Sequence, residues 1–217
     1  MKKLIFLLVI LCLCFAGAVS AEDCKYGDGD LEFVDEIIIE AETGEPANGL
    51  WCTHFKSLYN EIPLKNGKWE GIVRNYYESD KLKAETPFKN DRQEGIVKRY
   101  YESGKLKAEI PYKNGKLEGF EREYYESGKL WRETPYKNGK LEGIARYYYE
   151  SGKLKDESPY KNDKLEGIGR VYKENGRLWG KIIYRNDKVV SGTCANGRAF
   201  TNAEIINWQN GHEVICD

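Results

Sequence analysis

The sequence predicts a mainly β fold: an elongated antiparallel sheet of tandem β-hairpin repeats, closed by a small disulfide-stapled cap at its C-terminal end. Three observations carry this. A 24-residue unit recurs in strict register, so that Gly71, Gly95, Gly119, Gly143 and Gly167 share one step with Pro63, Pro87, Pro111, Pro135 and Pro159. Each unit holds two turn signals. About ten residues rich in Tyr, Ile and Val lie between turns, which is strand spacing. Repetition at such a period marks an architecture in which each unit contacts only its neighbours.

The first turn signal is Asn66-Gly67, Asn90-Asp91, Asn114-Gly115, Asn138-Gly139, Asn162-Asp163 and Asn186-Asp187. Asn-Gly supplies the positive φ that a two-residue hairpin turn demands, and Asp is a tolerable substitute. The second is Ser79-Asp80, Ser103-Gly104, Ser127-Gly128, Ser151-Gly152 and Asn175-Gly176. Counting outward from both turns of one copy places Tyr112 opposite Leu117, Ile110 opposite Gly119, Tyr125 opposite Leu130 and Tyr124 opposite Trp131. Period-two alternation then sorts the side chains. One face collects Leu106, Ala108, Ile110, Tyr112, Leu117, Gly119 and Tyr125; the other collects Lys107, Glu109, Glu118, Phe120, Arg122 and Tyr124. The first is mainly apolar and the second mainly charged.

The same register sets Arg74 against Glu85, Lys98 against Glu109, Arg122 against Glu133 and Arg146 against Glu157, with Arg170 against Lys181 as the exception. Facing opposite charges contribute roughly 0.2–1 kcal/mol each. Gly119 and its equivalents are expected to leave room for a neighbouring tyrosine. Pro111 and its equivalents cannot donate to a ladder and are expected to mark bulges or bends.

Four segments follow: a leader at 1–21, an N-terminal cap at 22–46, the repeats at 47–190 and a C-terminal cap at 191–217. Lys2-Lys3, the apolar run Leu4 to Phe15 and Val19-Ser20-Ala21 form the three-part layout of a secretory signal peptide. The run is short of the ~20 residues a spanning helix needs, so the mature chain is expected to carry no membrane span. Cys24, Cys52, Cys194 and Cys216 would remain after cleavage, an even count that reads as two disulfides in an exported chain. Two lie before the repeats and two after, which favours Cys24–Cys52 and Cys194–Cys216. Phe33 to Glu40 reads as one strand; Thr201 to Glu204 resembles a capping box before a two-turn helix, with a last strand from Glu213 to Cys216.

Charge narrows the function. The chain has 34 basic and 35 acidic residues, alternating within each repeat. Nucleic-acid binding calls for a segregated basic stripe, and none is expected. With His54 and His212 as the only histidines and no CxxC spacing, neither a metal site nor a nucleophile–His arrangement assembles economically. His54 occupies a worn copy of the Tyr76 position. Carboxylate pairs such as Glu118 with Glu126 recur in every unit, whereas glycoside hydrolysis needs one pair in divergent environments. No catalytic, cofactor-binding or metal-ligating residue is therefore expected.

Asn114-Gly-Lys-Leu-Glu-Gly119 and Tyr124-Tyr-Glu-Ser-Gly-Lys-Leu130 resemble the variant MORN repeat, over about residues 47–190. Bacterial chains of this kind resemble the YwqK-type antitoxins of toxin–antitoxin systems, and the resemblance implies a row of hairpins in one elongated sheet. The Tyr-x-Gly-x-Trp element of eukaryotic MORN repeats is absent, so phosphoinositide binding is not implied. The candidate partner-binding surface is the column Tyr76, Tyr100, Tyr124, Tyr148 and Tyr172, with Trp131 and Trp179 on the same face; stacked inter-strand packing is the competing reading of that column. The expected function is that of an exported, non-enzymatic protein offering an extended surface to a protein partner, periplasmic or extracellular. Neutralisation of a toxin is the alternative, and glycan binding a further one.

Overall fold

The computed structural model describes residues 24–26, 31–34, 37–40, 45–55, 58–211 and 214–216, with backbone alone for 24–40, 53–55 and 58–59. The leader expected at 1–21 lies outside them. A 19-stranded sheet dominates, and all its pairings are antiparallel except that of the first strand, Cys24–Tyr26, which runs parallel to Gly49–Phe55. From there the sheet grows in chain order, each full repeat adding one long strand and two short ones that pair end to end along it.

One copy shows how the unit works. The long strand Leu106–Lys113 turns at Asn114-Gly115, both with positive φ, into the short strand Lys116–Leu117. A break at Glu118 precedes Gly119–Tyr124, and a second turn leads to the next long strand, Leu130–Lys137. Tyr112 stands opposite Leu117 as expected, but three residues back along the long strand Glu109 faces Arg122, which is five residues on from Leu117. Ile110 therefore does not face Gly119. Two extra residues, Glu118 and Gly119, bulge opposite Pro111, whose carbonyl accepts from the Glu118 N–H at 3.1 Å. Because the bulge inserts two residues, the alternation of faces survives it.

The conserved step of glycine and proline has its cause here. Gly119 sits at φ +108°, and a Cβ on it would lie 3.5 Å from Pro111 Cγ; on Gly71 it would lie 3.0 Å from Pro63 Cγ. Proline, and not the tyrosine expected from the sequence, is the close neighbour, and the positive φ is what requires glycine at every copy. A second bulge between Glu123 and Tyr124 puts Tyr124 opposite Leu130 instead of Trp131. The charge register holds: Arg74 faces Glu85, Lys98 faces Glu109, Arg122 faces Glu133, Arg146 faces Glu157 and Arg170 faces Lys181.

Units are fastened by groups that recur with them. The N–H of Gly139 donates to the Leu117 carbonyl at 2.8 Å, and the N–H of Asn138 to Glu118 Oε2 at 2.7 Å. Glu70, Glu94, Glu142 and Glu166 hold the next turn in the same way. The repeated glutamates are thus turn clamps. Tyr77, Tyr101, Tyr125 and Tyr149 each donate a hydroxyl to a backbone carbonyl one repeat on, at 2.6–2.7 Å.

The ends depart from the repeat. The stretch expected as one strand holds two, Leu31–Val34 and Ile37–Glu40, paired with Val34 opposite Ile37. The polar Asp35-Glu36 divides the apolar run that suggested one strand. Cys52 is disulfide-bonded, and the Cys24 side chain lies outside the described residues. At the other end Cys194 and Cys216 are bridged. Helix Asn202–Gln209 starts on a capping box between Thr201 and Glu204, and Trp208 and Ile205 pack on a core of Ile182, Val189, Phe200 and Val214. Val214–Cys216 follow without strand pairing, so the expected last strand is absent over those residues; Glu213 lies outside the described ones.

Arg198 donates to both Glu204 oxygens at 3.0 Å and Thr201 N–H donates at 2.8 Å, which holds the Glu204 carboxyl down at about 2 from its ordinary 4.5. A depressed carboxyl stabilises the fold above its unfolded value and loses that contribution as pH falls through the folded one. The cap is therefore expected to loosen between about pH 4.5 and 2. Trp fluorescence should follow it, and Glu204→Gln should flatten the response; an unchanged profile in the variant would refute the assignment.

Candidate binding surfaces of the repeat sheet

The outer face carries a ladder of three residue types. Arg122 Nε lies 2.9 Å from Glu133, and Arg74 bridges Glu85 at 3.3 Å and Glu61 at 3.4 Å. Arg170, which faces Lys181, turns instead to Glu157 at 3.8 Å. The expected tyrosine column lies here and is tied into the ladder. Tyr76, Tyr100, Tyr124 and Tyr172 donate their hydroxyls to Glu61, Glu85, Glu109 and Glu157 at 2.8–3.2 Å. Tyr148, half-buried, keeps the same position next to Glu133. Burial, and then the bonded Glu85, pushes the Tyr100 phenol up to about 12. These hydroxyls are spent within the sheet.

The exposed residues of this face are the neighbours of that column. Ile72, Ile96, Phe120, Ile144 and Ile168 are 38–51% exposed, one per repeat. Each stands opposite a proline or, in the last case, Ile183. Single exposed apolar residues are ordinary, but a row at every repeat is a patch. Two strands of ~4.8 Å place neighbours in the row about 10 Å apart. The arginines beside them are 35–43% exposed while Glu85, Glu133 and Glu157 are 15–23%, so the row is flanked by cations more than by anions. Trp131 is exposed nearby. Trp179 is not: its ring stacks on Trp208 with centroids 5.1 Å apart and meets Phe200 at 5.8 Å, inside the C-terminal cap. Its repeat position matched Trp131, but the cap folds over it.

The inner face holds what sequence reasoning missed. In the repeat that precedes the centre it is apolar, with Val97, Ala108 and Ile110 buried together. The equivalent positions of the next repeat are Glu121, Arg132 and Thr134. Arg132 Nη2 lies 3.1 Å from Glu123 and 3.8 Å from Glu121. Arg132 faces Tyr147, Tyr147 faces Asp156, and Ser158 donates to Asp156 at 2.6 Å. Burial raises the Asp156 carboxyl above its ordinary value. It also pushes Tyr136 and Tyr160 up to about 12, so both phenols stay neutral well past pH 7. The signal was available: these are the positions at which aligned copies disagree.

Four of the units match a family model, that of the MORN repeat variant. The matched segments are residues 69–90, 93–114, 117–138 and 141–162. No curated protein matches the chain. The MORN matches and the bulged hairpins coincide, since each segment runs from one short strand to the following Asn turn. Among the described residues no group of three or more His, Cys, Asp or Glu could hold a metal, and no helix is long and apolar enough to cross a membrane.

Proposed function

We propose that this MORN-repeat protein is an exported, non-enzymatic binding protein whose outer face takes an α-helical segment of a partner protein. The observation that carries the reading is the exposed apolar row Ile72, Ile96, Phe120, Ile144 and Ile168. The partner would present apolar side chains about 10 Å apart, a spacing close to the ~10.5 Å of every seventh residue on an α-helix. Acidic groups beside them would meet Arg74, Lys98, Arg122, Arg146 and Arg170. Export, to the periplasm or the cell exterior, is supported by the signal-like leader and by the Cys194–Cys216 bridge.

A photocrosslinker at position 120 in the full chain identifies the partner, whose affinity is then measured as purified protein. Phe120→Asp with Ile144→Asp should weaken it at least roughly tenfold, as loss of two central anchors does. Ile206→Asp on the cap helix, which is more exposed than either, should not. Raising salt should also weaken binding, because the flanking charges are solvated. Unchanged affinity in the double variant would sink the proposal.

A further inference from the structure

The inner face of the two central repeats is polar where the preceding repeat is apolar. The preceding repeat shows that this sheet closes there on apolar residues: Val97, Ala108 and Ile110 are 4–5% exposed and pack on Tyr112 and Leu117, and the one charge, Arg99 at the position of Glu123, is exposed. Replacing such a set by Glu121, Arg132 and Thr134 is poor design for stability, since a buried ion pair is commonly no better than apolar packing. Three atoms of the cluster are also shielded and lack a hydrogen-bond partner: Glu123 Oε2, Arg132 Nε and Thr134 Oγ1. Thr134 is only 4% exposed, and its Cα partner across the strand is Glu121, so its hydroxyl belongs to the cluster. Buried polar groups without partners are rare and call for an explanation.

The three atoms specify what would complete them. Glu123 Oε2 accepts, Arg132 Nε donates, and the Thr134 hydroxyl does both. An ammonium ligand would leave Arg132 unserved. An anion would meet three carboxylates, Glu121, Glu123 and Asp156. A pair of adjacent hydroxyls donates to one atom and accepts from the other, beside Tyr147, which stands opposite Arg132. Arg132 and Glu123 remain 27% and 23% exposed as side chains, so a ligand reaches the cluster from solvent with small rotations.

We propose that the inner face around Glu123, Arg132 and Thr134 binds a neutral, hydroxyl-rich ligand, a sugar residue with vicinal hydroxyls. This site is independent of the outer row, so either reading can fail alone.

The full chain is titrated with maltotriose, cellotriose and chitotriose, with spermidine and inorganic phosphate as charged controls, by calorimetry and by chemical-shift changes of the tyrosine rings. At least one trisaccharide should bind saturably at millimolar concentration or tighter. Thr134→Val, which removes one hydroxyl, should weaken it roughly tenfold. A graft of the preceding repeat's residues (Glu121→Val, Glu123→Arg, Arg132→Ala and Thr134→Ile) should abolish binding while the melting temperature holds or rises. The proposal is overturned if no trisaccharide binds, if spermidine or phosphate binds in preference, or if the graft keeps its affinity. A graft that unfolds leaves Thr134→Val to decide, and retained affinity there overturns it as well.

Discussion

Raising the pH from 10 to about 12 is expected to unfold the repeat sheet in a steep transition. Phenols fasten the array at every unit. Tyr100, Tyr136 and Tyr160 are pushed up to about 12, first by burial, and Tyr101, Tyr124, Tyr125, Tyr148, Tyr149 and Tyr172 are raised by the same cause. The bonded or nearby carboxylates add to it: a phenolate beside Glu85 or Glu109 would set two anions in contact. A phenol that holds its proton more tightly when folded gives its full contribution below its unfolded value. That contribution is lost as pH rises through the folded one. Many such groups titrating together make the slope steep. Far-UV circular dichroism and phenolate absorbance should therefore change together, and Tyr100→Phe with Tyr124→Phe should make the transition shallower. Phenolate forming near pH 10 while the dichroism stays flat to pH 12 would refute the coupling.

The strand framework was legible because its signals are local. Asn114-Gly115 must turn, the charges of Arg122 and Glu133 must face, and Thr201 with Glu204 must start a helix; the structure shows each. What was not legible depends on shape. A two-residue bulge opposite Pro111 leaves the alternation intact, so counting along the strand cannot reveal it. Trp179 shares its repeat position with Trp131, yet the cap that covers it is formed by residues more than twenty further on. The candidate sites divide along the same line. The tyrosine column was legible as a candidate surface, but only the hydroxyl contacts show those rings tied into the sheet and the Ile and Phe beside them left exposed. The inner cluster escaped because attention to the repeat hides the residues that break it. In a solenoid-like array the framework is written by what recurs, and selectivity by what does not.

Gly143→Ala should be among the most damaging single changes in the middle of the array, costing roughly 2–4 kcal/mol. The residue sits at φ +120°, and a Cβ would lie 3.2 Å from Cγ and 3.4 Å from Cβ of Pro135, itself buried. A rigid pyrrolidine cannot swing aside as a lysine stem can. The bulge that joins the short strand to Gly143–Tyr148 would have to shift by a few tenths of an ångström, which stretches the Glu142 N–H bond to the Pro135 carbonyl, already 3.2 Å. Gly152→Ala provides the contrast: φ is also positive, +87°, but nothing lies within 4 Å. Only the left-handed conformation is penalised there, about 1–2 kcal/mol. Urea unfolding of the two variants should differ accordingly. Because each unit leans only on its neighbours, Gly143→Ala should also split the array and give two unfolding steps where the parent shows one. Equal midpoints for the two variants would show that the glycine–proline contact does not set the register of the repeat.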